Sequence, residues 1–382
     1  MDHHQPTRTA QRSRASLIVL IVLAFLLLAA AAVLVASLPD DAAGQLATAE
    51  TTDDGLDKTG FACSASEAQL LYPFGAGVMK LSGTQVSFLD ITGHEQFAAD
   101  ASFTNPFAVQ TETLFLAADR DGYSYILFDT AGERRRGTLK ERIAGASVSA
   151  DGYLAIIQDQ SSGTGIVTLI APDTCEELFD CYFPESGYVL SVSFPPEGDC
   201  FDVALVNTSA SAARPIIKRF SMTGEPIGQR MPDLDGLYPL ITYDAAGNPV
   251  ICCATGLAAL TYGDDDLVWQ RQFQQILAVR QSSGGLFVLA AESIDGPSSL
   301  YCLKSDGQDL FSLPAGEALA DLDLNGSCVA VSGGTRVIAA DSQTGEILLE
   351  RDVSAEIIRI GFAGRKLLTV VTRSGVHALT IP

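Results

Sequence analysis

The stretch VIAADSQTGEILLERD, from Val337 to Asp352, shows the pattern that decides the fold of this chain. An apolar run leads into a polar turn at Thr344-Gly345, and a second apolar run follows the turn. Short β-branched and apolar runs on either side of a Gly-containing polar turn are typical of two paired strands. The stretch therefore predicts a β-hairpin.

The same unit recurs along most of the chain. The other copies are VSFLDITGHEQF from Val86, YILFDTAGERRR from Tyr125, VTLIAPDTCEELF from Val167, IIKRFSMTGEPIG from Ile216, ALTYGDDDLVWQ from Ala259 and LYCLKSDGQDLFSL from Leu300. Their turns are marked by Gly93, Gly132, Thr174, Gly224, Asp265 and Gly307, and successive landmarks, Gly345 included, lie 38 to 50 residues apart. A period of about forty residues with four short strands per unit indicates an all-β protein, a β-propeller.

Further strands precede most of these hairpins. Examples are GASVSADGYLAIIQ from Gly145, LITYDAAGNPVICC from Leu240 and LADLDLNGSCVAV from Leu319. Asp-Gly and Asn-Gly at strand tips are strong hairpin signals. Each unit thus supplies one inner, two middle and one outer strand, and the units must stack around an axis because one sheet alone cannot bury both of its faces.

The last unit is incomplete, since IIRIGF, KLLTVVT and VHALTI supply only three strands before the chain stops at Pro382. We expect the segment from Gly60 to Glu67 to provide the fourth strand, which would cover an exposed sheet edge. Seven hairpin units and one shared blade give eight blades. Seven is the alternative if the first unit is the shared one.

The N-terminal region predicts a membrane anchor. The run from Leu17 to Ala36 has no charged residue and is about long enough to cross a ~30 Å hydrocarbon core as a helix. Arg8, Arg12 and Arg14 precede the run, so its N-terminal end should be cytoplasmic. We predict a cytoplasmic tail (1–16), a transmembrane anchor (17–37), a flexible linker (38–58) and an extracytoplasmic propeller (59–382); a cleaved signal peptide is the alternative.

Composition narrows the class of partner. The chain has 24 Lys and Arg against 46 Asp and Glu, a net charge of −22. Nucleic acid is excluded as an expected partner because its phosphates require basic residues. The 8 Cys show no small-domain disulfide framework, and we expect most of them to be buried as small apolar residues.

The hairpin from Val337 to Asp352 resembles the repeat of PQQ-like, quinoprotein-type propellers, with an apolar strand, Asp-x-x-Thr-Gly-Glu and a bulky apolar residue. Trp269 stands where that repeat often carries a Trp. The N-terminal anchor, YPFG from Tyr72 and FTNP from Phe103 are similar to uncharacterised membrane-anchored propellers of Gram-positive bacteria. The resemblance covers about residues 60–382 and implies the fold rather than an activity.

Two motifs are candidates for a cofactor site or a metal site. In quinoprotein alcohol dehydrogenases, adjacent cysteines form a disulfide over the quinone, and Cys252-Cys253 is such a pair. On a strand, however, adjacent side chains point to opposite faces, which favours burial against both neighbouring blades. The run Asp321-Leu-Asp323-Leu-Asn325-Gly326 begins like a calcium loop, but its twelfth position is Ser332 rather than Glu, so a strand and turn are favoured.

The remaining polar clusters are predicted to be structural. Asp264 to Asp266 is interpreted as a solvated turn, His94 as a turn residue and His377 as part of a terminal strand. Arg134 to Arg136 is interpreted as part of a surface strand, with docking of an acidic partner as the alternative.

The sequence predicts no catalytic, cofactor-binding or metal residue and no enzyme activity. We expect a membrane-tethered binding or scaffold module for an extracytoplasmic protein or envelope polymer, attached to the bilayer through residues 17–37. The alternative is a quinoprotein-like oxidoreductase that uses PQQ and calcium. A small-ligand sensor ranks last because a cytoplasmic tail of about sixteen residues leaves no room for an output domain.

Overall fold

The computed structural model describes residues 60–382, except 160–164, 185–186, 209–211, 264–265, 283, 294–295, 315–320 and 354. The predicted tail, anchor and linker lie outside the described residues. One short helix, α1 (Ala65–Ala68), is present in the described ranges. No helix in this part of the chain is long and apolar enough to span a bilayer.

The described residues form eight antiparallel sheets of four strands, which confirms the predicted eight blades. Blades 1 to 4 contain β2 (Leu71–Phe74), β3 (Gly77–Leu81), β4 (Gln85–Asp90) and β5 (Glu95–Asp100); β6 (Pro106–Gln110), β7 (Phe115–Asp119), β8 (Ser124–Asp129) and β9 (Gly132–Thr138); β10 (Arg142–Val148), β11 (Leu154–Asp159), β12 (Gly165–Ile170) and β13 (Glu177–Tyr182); and β14 (Tyr188–Ser193), β15 (Cys200–Asn207), β16 (Arg214–Ser221) and β17 (Pro226–Arg230).

Blades 5 to 8 contain β18 (Leu240–Tyr243), β19 (Pro249–Cys252), β20 (Gly256–Ala259) and β21 (Trp269–Gln272); β22 (Gln275–Ser282), β23 (Gly285–Ala291), β24 (Ser298–Leu303) and β25 (Asp309–Pro314); β26 (Asp321–Asn325), β27 (Cys328–Gly333), β28 (Arg336–Asp341) and β29 (Ile347–Asp352); and β30 (Ile357–Gly364), β31 (Leu367–Thr372), β32 (Gly375–Thr380) and β1 (Gly60–Ala62). In blades 1 to 7 the chain runs from the inner to the outer strand.

The middle strands are buried on both faces because each blade lies between two others. Every residue of β23 is buried, for example, although neighbouring residues point in opposite directions. Leu286 and Val288 pack with side chains of blade 5, whereas Phe287 and Leu289 pack with side chains of blade 7. Alternate residues of one strand therefore belong to two separate cores.

Hydrophobic clusters between consecutive blades close the ring. Seven clusters join blades 1 to 8 in chain order, and an eighth joins blade 8 to blade 1. This last cluster contains Val371 and Val376 of blade 8 together with Leu71 and Val78 of blade 1. The predicted circular stack is thus confirmed.

Strand β1 completes blade 8, as predicted from the missing fourth strand of that blade. Gly60 and Phe61 of β1 pair with His377 and Val376 of β32. Arg359 of β30 strengthens the same junction, because its guanidinium lies 4.1 Å from the Tyr72 ring centre in blade 1 and donates to the Gln69 and Leu71 carbonyls at 3.0 Å each. The predicted contribution of residues 60–67 is limited to Gly60–Ala62, since α1 follows.

Candidate binding surface

The two ends of the ring carry different loops. We call the end where each outer strand connects to the next inner strand the crossover face; it includes loops 101–105, 139–141, 231–239 and 273–274. The opposite end, the hairpin face, carries the turns between third and fourth strands, such as 222–225, 304–308 and 342–346. The alternating strand direction within each blade separates the two sets of loops.

Five large apolar side chains are exposed on the crossover face of blades 3 to 5. They are Tyr182, Tyr188, Met231, Leu237 and Leu240, and each is between 43% and 58% exposed. Tyr182 ends β13, and Tyr188 and Leu240 begin the inner strands β14 and β18. We call these five residues the crossover patch.

Loop 231–239, which supplies Met231 and Leu237, is firmly anchored. Leu234 and Tyr238 of this loop are buried in the core between blades 4 and 5. The backbone N–H of Gly236 donates to the Ala213 carbonyl at 2.8 Å. Because the loop already buries two of its apolar side chains, the exposure of the other two belongs to an ordered surface.

Acidic side chains border the crossover patch. Asp233 and Asp235 have side chains that are 93% and 74% exposed, and they lie 3.2 Å and 3.9 Å from the Arg214 guanidinium. Near Tyr182, the Asp180 carboxylate raises the pKa of the phenol and accepts its hydrogen bond at 3.2 Å. The patch therefore combines an apolar surface with an acidic margin.

Of the other exposed apolar residues, Tyr123 lies in the loop between β7 and β8, and five are scattered around the outer rim. Leu178, Ile227, Val268, Leu310 and Ile347 lie at or beside the start of the outer strands of blades 3 to 7. Each belongs to a different blade. Single exposed apolar residues are common on protein surfaces and do not by themselves indicate a binding site.

Cys252 and Cys253 point into two different cores, as strand alternation predicts. Cys252 is buried between blades 5 and 6, whereas Cys253 packs against the core between blades 4 and 5. Both are free thiols, and burial raises the pKa of Cys252. This arrangement does not fit a disulfide platform for a quinone.

The Asp321 to Asn325 segment is the inner strand β26, and Gly326 lies in the turn that follows, as predicted. Oδ2 of Asp321 accepts from the backbone N–H of Ile360 at 2.9 Å, and Oδ2 of Asp323 accepts from that of Phe362 at 2.8 Å. These carboxylates hydrogen-bond to the inner edge of blade 8. No group of three or more His, Cys, Asp or Glu suited to a metal occurs in the described ranges.

The three arginines of β9 contact neighbouring parts of the ring. Arg135 is buried and donates to the carbonyls of Gly152, Ala171 and Thr174 in blade 3. Arg136 pairs with Glu133, and Arg134 lies 3.6 Å from Asp173. The predicted surface strand is therefore confirmed for Arg134 and Arg136 but wrong for Arg135, which is drawn inward by carbonyls of the next blade.

The two predicted histidine positions lie in the elements that the sequence indicated. His94 lies in the turn between β4 and β5, and His377 lies in β32. Asp264 and Asp265 fall outside the described residues, whereas the carbonyl of Asp266 accepts from Arg230 at 3.4 Å.

A buried ionic network joins blades 4 and 5, and sequence reasoning did not single it out. The carboxylate of Asp202 is fully buried and pairs with Arg219 through bonds of 2.9 Å and 2.7 Å. The hydroxyls of Tyr243 and Tyr262 lie 3.0 Å and 2.7 Å from its two oxygens. Burial and this carboxylate raise the pKa of both tyrosines. In the sequence, the network is indicated only by Asp202, the single acidic residue in the apolar run FDVALV. A buried charge requires partners.

Comparison with known proteins places this ring in a family. A model of a family of unknown function, DUF5711, matches residues 58–381. The chain belongs to DUF5711. No curated protein matches it.

Three solved structures are similar in fold to this DUF5711 chain at low sequence identity. The computationally designed Ika8 protein is 15% identical, with a TM-score of 0.57 and coverage of 87% of this chain and 100% of its own. BamB from Moraxella catarrhalis is 14% identical, with a TM-score of 0.50 and coverage of 85% and 99%. A functionally unknown protein from Desulfotomaculum acetoxidans DSM 771 is 9% identical, with a TM-score of 0.50 and coverage of 72% and 93%. At these identities the likenesses bear on the fold of this chain alone and not on its function.

Proposed function

We propose that this DUF5711 chain is a membrane-tethered, extracytoplasmic binding module that holds a protein partner on its crossover patch. The observation that carries the proposal is the exposure of Tyr182, Tyr188, Met231, Leu237 and Leu240 on one face of three consecutive blades. Tyr and Met are enriched in protein interfaces, and Tyr is among the residue types that provide most of the binding free energy.

The construction of loop 231–239 supports this proposal. Leu234 and Tyr238 fix the loop to the ring, so a partner that covers Met231 and Leu237 would meet a preformed surface. Binding to a preformed surface loses less conformational entropy than binding that must first order a loop. The role assigned to this surface is capture, without a catalytic step.

The acidic residues around the crossover patch indicate what charge a partner should carry. Asp233 and Asp235 border the patch, and the whole chain has a net charge of −22. A partner with an apolar centre and basic residues at its margin would be complementary, and opposite charges at an interface rim mainly raise the association rate.

The predicted anchor at residues 17–37 would add to this binding. A module held at the membrane meets other envelope proteins at a higher effective concentration than a free module. The cytoplasmic N-terminus, the extracytoplasmic ring and the contact between residues 17–37 and the bilayer are parts of this proposal.

Site-specific photo-crosslinking in cells that naturally produce the protein tests the proposal. A photoreactive amino acid replaces Leu237 in the full chain, and the matched control replaces Glu112, an exposed residue of the hairpin face. We expect an adduct of discrete mass from position 237 and none from position 112. Absence of the adduct, or equal adducts from both positions, contradicts the proposal. A broad smear would identify an envelope polymer in place of a protein.

A further inference from the structure

A cleft on the crossover side of blades 5 and 6 is separate from the crossover patch. Its volume is 380 Å³, near the lower end of the ~300–1,000 Å³ typical of small-ligand sites. The cleft lies between the end of β21, the loop 273–274 and the end of β23. Ala290 and Ala291 contribute to its lining; because their side chains are short, they leave the space open.

Two aromatic rings line the cleft. The centres of Phe273 and Tyr301 lie 5.2 Å apart, with their planes tilted by 56°. Both rings are half-buried, so their inner parts pack on the core between blades 5 and 6. Partly exposed rings of this kind offer an apolar surface to the C–H groups of a ligand.

Arg271 packs against both rings and forms an ion pair with Asp309. Its guanidinium lies 5.1 Å from the ring centre of Phe273 and 5.3 Å from that of Tyr301. The same group donates to the two Asp309 carboxylate oxygens at 2.6 Å and 3.1 Å. The ion pair largely offsets the positive charge of the guanidinium.

Several polar groups of the cleft remain available. In the described part of the chain, the side chains of Gln272, Gln274 and Glu292 and the hydroxyl of Tyr301 make no hydrogen bond with other protein groups. An amide both donates and accepts, a carboxylate accepts, and a phenol does either. Such a set matches a ligand with several adjacent hydroxyl groups.

We propose that this cleft binds a neutral saccharide. A pyranose ring combines an apolar C–H surface with hydroxyls that donate and accept, which are the two features that the aromatic and polar walls provide. An anionic ligand is disfavoured by Glu292 and by the net charge of −22. The inference extends beyond the proposed protein partner and uses a different part of the crossover face.

Saturation-transfer NMR with two disaccharides, maltose and N,N′-diacetylchitobiose, tests the inference. The full chain is used in nanodiscs of phosphatidylethanolamine and phosphatidylglycerol, which contain neither sugar nor choline. We expect saturation transfer to at least one sugar. Tyr301→Phe and Gln274→Ala should each weaken its binding about threefold to tenfold, the effect of one lost hydrogen bond. Gln343→Ala, at an exposed turn of blade 7, is the matched control and should leave binding unchanged.

Three results would overturn the inference. One is the absence of saturation transfer from both sugars, and another is transfer that the Tyr301 and Gln274 variants leave unchanged. The third is a chain that binds no sugar but binds tetramethylammonium, with the Glu292→Gln substitution abolishing that binding. This result would make the cleft a cation site. None of these results bears on crosslinking from Leu237, so the two proposals can fail independently.

Discussion

The indole of Trp269, on the outer strand of blade 5, lies against Gly307 in the third turn of blade 6. A Cβ atom added to Gly307 would stand 2.6 Å from the Trp269 ring, and the glycine has φ of +76°. Phe311 of blade 6 makes the equivalent contact with Gly345 of blade 7. Gly307 and Gly345 therefore leave room for an aromatic side chain of the preceding blade.

Substitution of Gly307 tests how much the contact with Trp269 contributes to stability. Gly307→Ala should lower the free energy of unfolding by about 1–2 kcal/mol from the left-handed backbone and by about 1–3 kcal/mol more from the clash with Trp269. Gly247→Ala is the matched control, because Gly247 has φ of +79° and no atom within 4 Å of its added Cβ. Urea unfolding measures both variants. Equal losses would show that the indole contributes nothing at this position.

The hydrogen bond from Tyr262 to buried Asp202 should contribute strongly to stability. Tyr262→Phe removes a 2.7 Å bond to a fully buried carboxylate, and we expect a loss of about 1.5–3 kcal/mol in the free energy of unfolding. Tyr182→Phe is the control, since its bond to Asp180 is longer and exposed. Chemical denaturation of the two variants should differ clearly. A similar small effect in both would contradict the assigned role of the network.

Asp323 should make stability fall as pH rises. Burial raises the pKa of its carboxyl in the folded chain above the ordinary value, so the protonated form is favoured by folding and ionisation costs stability. Asp323→Asn keeps an acceptor for the Phe362 N–H but carries no charge. We expect the variant to gain stability relative to the native chain as pH rises from about 4 to 8.

Asp341 provides the control of opposite sign. Hydrogen bonds from Thr344 and Gln343 lower the pKa of Asp341, so its contribution to stability is present above the ordinary carboxyl pKa and is lost as pH falls. Asp341→Asn should therefore destabilise the chain at neutral pH and lose this effect in acid. Thermal unfolding across the pH range follows both variants. Parallel pH profiles for the two would contradict the assignment for Asp323.

Cys175 should be the thiol that reacts first. It is exposed, whereas Cys181, Cys200, Cys252, Cys302 and Cys328 are buried. Burial raises the pKa of Cys181 and of Cys200 to about 12 and that of Cys302 to about 11, which leaves little thiolate at neutral pH.

A membrane-impermeant maleimide applied to intact cells measures this reactivity and the proposed topology together. We expect fast labelling of the native chain and much slower labelling of Cys175→Ser, in which Cys63 and Cys253 are the remaining partly exposed thiols. Lysed cells supply the control for a reactive but inaccessible thiol. Labelling only after lysis would place the ring in the cytoplasm, and rapid labelling of Cys175→Ser would contradict the order of thiol exposure.

Sequence predicted those features that depend on neighbouring residues. In the Asp341 turn, the carboxylate accepts from the backbone N–H groups of Gln343 and Thr344, so the hairpin is encoded within four residues. The opposite orientation of Cys252 and Cys253 follows from strand geometry alone. The pairing of the Gly60 strand with the last blade could be predicted because that blade lacked a fourth strand.

Other features depend on residues that are far apart in the chain. Leu234 is buried and Leu237 is exposed in one irregular loop, and neither a period of two nor one of 3.6 distinguishes them. The partners of Asp202 come from positions up to sixty residues away. Likewise, the cleft beside Tyr301 forms only when blades 5 and 6 meet. The candidate sites therefore required the assembled ring.

The most direct test of the central claim compares partner capture by patch and rim variants of equal apolar exposure. Leu237 is 55% exposed on the crossover patch, and Ile227 is 54% exposed on the outer rim. The account predicts that Leu237→Asp lowers the yield of co-purified partner at least about tenfold, a loss of about 1.4 kcal/mol, whereas Ile227→Asp leaves it unchanged. Full capture by Leu237→Asp, or equal losses in both variants, would contradict the claim that the crossover patch is the binding surface.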